Sequence, residues 1–206
     1  MIISLTGFMG CGKSSVGRRL SELLCCPFMD LDDVIVESAG RSIPEIFAIE
    51  GEQAFRQMEL EALRRMVRKC QFRTEVLSPE DNIHRTNNTT PSLVLALGGG
   101  AVMTKECAER VREETYCVYL RASIETLLEH LSGEADGRPM LHGNSMKERI
   151  TELMAQRSET YEKTAHIIVD TDGKSIEAYI ECGIYSISPY MDNYNGCALR
   201  HLCTDI

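Results

Sequence analysis

Three glycines, a lysine and two serines fall within nine residues, GFMGCGKSS at 7–15. A stretch of that composition cannot fill a core. Its spacing, Gly7-x-x-x-x-Gly12-Lys13-Ser14, is that of a loop built to hold phosphate. The glycines let successive backbone N–H groups turn inward with no Cβ in the way, forming a nest for an anion. A helix that starts where the loop ends points its positive end at the same anion. Gly10, Cys11, Gly12, Lys13, Ser14 and Ser15 are therefore the expected nucleotide contacts. Cys11 contributes through its backbone, its side chain being a small filler. Lys13 supplies a point charge to the β- and γ-phosphates, and Ser14 a hydroxyl for Mg²⁺. The motif names ATP-like chemistry and is silent on what receives the phosphate.

Candidates for the receiving side lie downstream. FMDLDD at 28–33 sets Asp30 and Asp32 on either side of Leu31 at the end of a short apolar run. One carboxylate suits Mg²⁺, and the other suits the proton of an attacking hydroxyl. The same acids also suit the first turn of a helix, the natural place for Asp33. Arg56 follows Phe55 in GEQAFRQME, at the edge of a buried stripe. Arg138 lies in a Gly-rich stretch before Pro139, as an arginine on a closing lid would. Arg157 and Tyr161 share one face of a later helix. Gly98, Gly99 and Gly100 end an apolar run, where backbone must approach a ligand or a neighbouring loop closely.

These residues need elements to hold them. Apolar runs at 2–5, 26–30, 92–100, 116–120 and 166–170 read as strands. Between them lie stretches of helical period: the one after the phosphate loop, 31–39 ended by Gly40, about 53–69, one from about 123, and 175–182. Ser42 and Glu45 form a capping-box pattern around Pro44. Strands alternating with helices give an α/β fold, a parallel sheet covered on both faces. Three segments break the alternation: a polar loop at 71–91, a Gly-rich lid at 133–145 and a tail at 183–206. Residues 1–182, with 71–91 as a surface insertion and 133–145 as the lid, read as a single domain.

Composition excludes several classes. The chain has 206 residues, 43% of them apolar, enough for one real core. Its 22 basic and 31 acidic residues leave a net charge of −9 and a pI near 5.1, which argues against non-specific nucleic-acid binding. Nine scattered cysteines with no C-x-x-C, and no secretory pattern, indicate reduced thiols of a cytoplasmic protein. No apolar stretch approaches the roughly 18 residues that cross a bilayer.

Taken together, Gly7–Ser15, FMDLDD, GRSIPEIFAIEGEQAFRQME (40–59), LALGGGAV (95–102), GRPML (137–141) and RSETYEKTA (157–165) resemble shikimate kinase. The resemblance implies a five-stranded parallel P-loop kinase fold with a mobile lid. It implies transfer of the γ-phosphate of ATP to the 3-hydroxyl of shikimate, for aromatic amino-acid synthesis. It implies that Asp30 stands near Mg²⁺ and that Asp32 binds the substrate hydroxyls and serves as base. Arg56 and Arg157 clamp the carboxylate, Gly98–Gly100 offer backbone to the ring, and Arg138 reaches the phosphates from the lid. The chain is expected to work as a monomer on a small molecule, with no membrane or nucleic-acid partner. Leu131 departs from the family, whose members often carry an arginine there near the adenine. A gluconate-type kinase would share Gly7–Ser14 but has no reason to combine Asp32, Arg56 and Gly99. A non-catalytic nucleotide-binding module would not need Lys13, Asp32 and Arg138.

Overall fold

The computed structural model describes residues 1–75, 91–131, 146–173 and 175–178. The lid with Arg138, the tail at 183–206 and residues 76–90 of the expected loop lie outside the described residues. So does the end of the helix expected at 175–182.

Five strands form one parallel sheet: β1 Ile2–Thr6, β2 Phe28–Asp30, β3 Leu93–Ala96, β4 Tyr116–Arg121 and β5 Ile167–Asp170. Their order across the sheet is β2-β3-β1-β4-β5. Period-two alternation explains why both faces are buried. On β1, Ile2 joins one apolar cluster while Ile3 and Leu5 join the other. Leu93 and Leu95 face the first and Val94 the second; on β4, Cys117 and Tyr119 oppose Val118 and Leu120. The polar intruder in the centre, Ser4, is satisfied by the hydroxyl of Thr115 at 2.7 Å.

Seven helices cover the sheet among the described residues: α1 Lys13–Leu23, α2 Leu31–Ala39, α3 Ile43–Ile49, α4 Gly51–Glu75, α5 Lys105–Glu114, α6 Ile124–Leu131 and α7 Met146–Thr164. The first cluster draws on α2, α4 and α5, and the second on α1 and α6. Helix α7 serves both: Ile150 and Leu153 pack into the second and Tyr161 into the first. Gly40 ends α2 in the left-handed conformation. The capping box at Ser42 is formed, with Pro44 in the first turn of α3 where its missing N–H costs nothing. One boundary differs from expectation. Helix α4 runs through 71–75, read from sequence as loop, because a helix can continue on propensity after its apolar stripe ends.

The fold places the site by its connectivity. From β1 the chain moves outward to β2, returns to β3 beside β1, and then crosses to β4 on the other side. The carboxyl ends of β1 and β3 therefore open a crevice at the point where the winding reverses. The phosphate loop follows β1, the acidic pair follows β2 and the glycine triplet follows β3.

Candidate active site

The phosphate loop turns through three glycines at positive φ: Gly7 at 141°, Gly10 at 81° and Gly12 at 90°. Gly12 is the N-cap of α1, so the helix begins with Lys13 directly beneath the loop. Lys13 Nζ donates to the carbonyls of Gly7 at 3.1 Å and Phe8 at 3.0 Å. Cys11 is 3% exposed and packs into the second apolar cluster. Its N–H donates to the Phe8 carbonyl at 3.3 Å.

A cleft of about 750 Å³ runs along this loop, past Asp30 and Asp32 on one side and His130 and Ile176 on another. Ser14 Oγ donates to Asp30 Oδ2 at 2.6 Å. The other oxygen of Asp30 accepts the N–H of Asp32 at 3.1 Å and caps α2. The capping reading of Asp30 therefore holds, and its second oxygen faces the loop serine. Asp33 is exposed in the first turn of α2.

Asp32 turns the other way. Its Oδ1 is buried and has no hydrogen-bond partner. Burial and the charge of Asp30 push its carboxyl above the usual range, against the smaller opposing pull of Lys13 and Arg56. Directly across from it stands Glu59 on α4, 1% exposed, with Oε1 likewise unpartnered. The two oxygens flank Gly98 so tightly that a Cβ there would meet Glu59 Oε1 at 2.6 Å and Asp32 Oδ1 at 2.7 Å. A side chain there would have to push one of the two carboxylates aside.

Arg56 completes this corner. It donates to Glu59 Oε2 at 2.6 Å and to Glu52 Oε1 at 2.8 Å. Its guanidinium lies against Gly100, where a Cβ would sit 2.5 Å from Nη2. Burial nonetheless raises the Glu59 carboxyl to about 7; Arg56 opposes the shift and Asp32 adds to it. Arg157, 6% exposed, approaches the Gly99 carbonyl at 3.4 Å, with its guanidinium over the Phe8 ring. The Tyr161 hydroxyl donates to that same carbonyl.

The structure therefore brings Asp32, Arg56, Gly98–Gly100 and Arg157 together, from four separate elements. Gly99 is also the seam with the donor side: a Cβ there would lie 3.1 Å from the Met9 nitrogen and 3.7 Å from the Gly7 carbonyl. Arg138 lies outside the described residues. Sequence reasoning passed over Glu59. Its signal was present, an acid three residues after Arg56 and so on the same helical face. What the spacing alone does not give is that this face is buried.

Comparison with known proteins points to one family. The family model "Shikimate kinase" matches residues 9–79 and 77–184. A shikimate kinase from Thermus thermophilus is 40% identical over 179 residues, covering 87% of this chain and 85% of that one. A shikimate kinase from Geobacter sulfurreducens is 39% identical over 175 residues, 85% of this chain and 84% of that one. Among solved structures, the shikimate kinase from Acinetobacter baumannii in complex with shikimate superposes with a TM-score of 0.76. It is 28% identical and covers 91% of this chain and 93% of that one.

Proposed function

The chain belongs to the shikimate kinase family, and from that premise we propose that its cleft carries ATP-dependent phosphorylation of the shikimate 3-hydroxyl with the residues described above in distinct roles. The observation that carries the assignment of roles is the Gly99 seam. On one side of it lies a backbone cradle for phosphate, and on the other a carboxylate with the buried Arg157 and the half-buried Arg56.

The acceptor hydroxyl oxygen forms a bond to the γ-phosphorus as the bond from that phosphorus to ADP breaks. The hydroxyl proton passes to Asp32, whose raised pKa makes it a better acceptor than an exposed aspartate. Arg56 and Arg157 hold the substrate carboxylate, fixing the ring so that its hydroxyl meets Asp32. Lys13 exchanges the Gly7 and Phe8 carbonyls for phosphate oxygens. Mg²⁺ fits Ser14 and Asp30: a hydroxyl and a carboxylate, both hard oxygen donors, already stand together beside the loop. When bound, the ion neutralises charge on the β- and γ-phosphates.

Substrate-dependent ADP release tests the reading. Turnover is expected with shikimate and not with gluconate, which lacks the ring that Arg56, Arg157 and the triplet enclose. Turnover on gluconate alone would replace the substrate. ATP binding without turnover on either acid would make the chain a binding module.

A further inference from the structure

Helix α6 ends against the phosphate loop, and two of its residues meet one glycine. Leu131 is fully buried, and its side chain presses on Gly10, where a Cβ would lie 2.8 Å from Leu131 Cγ. His130, the residue before it, places Nδ1 2.8 Å from the Gly10 carbonyl oxygen. A carbonyl accepts, so Nδ1 carries the hydrogen. The ring is exposed and lines the same cleft as Lys13 and Ser14.

The chemistry of an anion nest gives this contact a use. Inward N–H groups require outward carbonyls, and an outward carbonyl that swings back presents a lone pair to the phosphates. The Gly12 carbonyl is fixed by the Val16 N–H at 2.9 Å, within α1. The Gly7 and Phe8 carbonyls hold Lys13, which has to leave them to reach phosphate. The Gly10 carbonyl has no such conflict, because its donor comes from outside the loop. Gly10 turns at φ 81°, a conformation that its missing Cβ permits and that the contacts with α6 hold in place.

We propose that His130 is a positioning residue for the phosphate loop: by donating to the Gly10 carbonyl it clasps the rim of the loop to α6 and holds the nest open for the ATP polyphosphate. This rests on the reading that the cleft binds ATP.

The test measures ATP and ADP affinity by titration calorimetry without shikimate, so it does not depend on the acceptor. Three variants separate the hydrogen bond from the ring. His130→Ala removes both, His130→Phe keeps a ring without a donor, and His130→Asn keeps a donor near the place of Nδ1. Ala and Phe are expected to weaken both nucleotides about fivefold, the value of one hydrogen bond, while Asn stays within about twofold of the parent chain. Shikimate affinity and melting temperature are expected to stay unchanged in all three, since the side chain is exposed and on the donor side. If Phe binds as tightly as the parent, the ring face matters and the clasp is refuted. Equal binding in all three, or equal loss in all three, refutes it too, as does a parallel loss of shikimate affinity. Failure of the parent chain to bind ATP would instead overturn the nucleotide reading on which the clasp rests.

Discussion

The two halves of the site, on either side of Gly99, are built on opposite principles. The donor half is nine consecutive residues whose binding groups are mostly backbone, held by glycine conformations and the start of α1. The acceptor half is made of charged side chains from α2, α4 and α7 around a glycine triplet after β3. The donor half is partly open, whereas the acceptor half buries Glu59 and Arg157 almost completely and leaves two carboxylate oxygens unpartnered. A backbone cradle tolerates water because its groups are dipoles. A charged pocket gains discrimination only by excluding water, and it keeps unsatisfied atoms for a ligand to satisfy.

Asp32→Asn is the largest expected break in this contrast. It is expected to lower kcat by about 10²-fold or more, the range for loss of a general base. Stability is expected to stay level or rise, because a carboxylate penalised by burial is replaced by a neutral amide of the same shape. Single-turnover kinetics and thermal melts check both. Near-normal kcat would move the base elsewhere, and a large loss of stability would mean that Asp32 is a structural acid.

Arg56→Ala comes next. One charge-assisted contact to the substrate carboxylate is lost, so the shikimate KM is expected to rise roughly 10- to 100-fold with the ATP KM within about twofold. It also strips Glu59 of its partner at 2.6 Å and is expected to destabilise the fold. The double variant Arg56→Ala/Glu59→Gln is expected to recover stability without recovering KM. An equal rise in both KM values would place Arg56 at the seam and not in the acceptor half. On the donor side, Ser14→Ala is expected to raise the Mg²⁺ concentration for half-maximal rate by about tenfold, with the shikimate KM unchanged. An unchanged Mg²⁺ requirement would remove Ser14 from the metal site.

The same contrast explains what could be read from the sequence. The phosphate loop was legible because its physics is local: the residues that turn it and start α1 are the residues in the motif. The five strands were legible because each is a short apolar run, and β1, β3 and β4 are buried on both faces. Strand order was not, since β3 beside β1 is a pairing across 91 residues with no local trace. Asp32, Arg56 and Arg157 were nameable through the family resemblance, and each taken alone had an equally good surface reading. Glu59 went unnamed for a physical reason. A glutamate on a helix is ordinarily solvated, and only the packing of α4 under β3 and α2 shows that this one is not.

That burial carries the prediction most specific to the acceptor half. The Glu59 carboxyl is raised from its ordinary 4.5 to about 7, with burial the leading cause. A raised carboxyl binds its proton more tightly folded than unfolded, so folding favours the neutral acid. Its contribution to stability is therefore fully present below the unfolded value and fades as pH climbs from about 4.5 to about 7. The shift corresponds to about 3 kcal/mol across that window, a melting temperature that slides by several degrees. Glu59→Gln has no proton to lose and is expected to flatten this slope, while Ser14→Ala, confined to the donor half, is expected to leave it in place. Melting curves from pH 4.5 to 8 on the parent and both variants decide it. An unchanged slope in Glu59→Gln would mean that Arg56 holds Glu59 ionised throughout. The acceptor half would then be a fully charged pocket in which the unpartnered Glu59 oxygen is a standing acceptor, and not a proton carrier, at neutral pH.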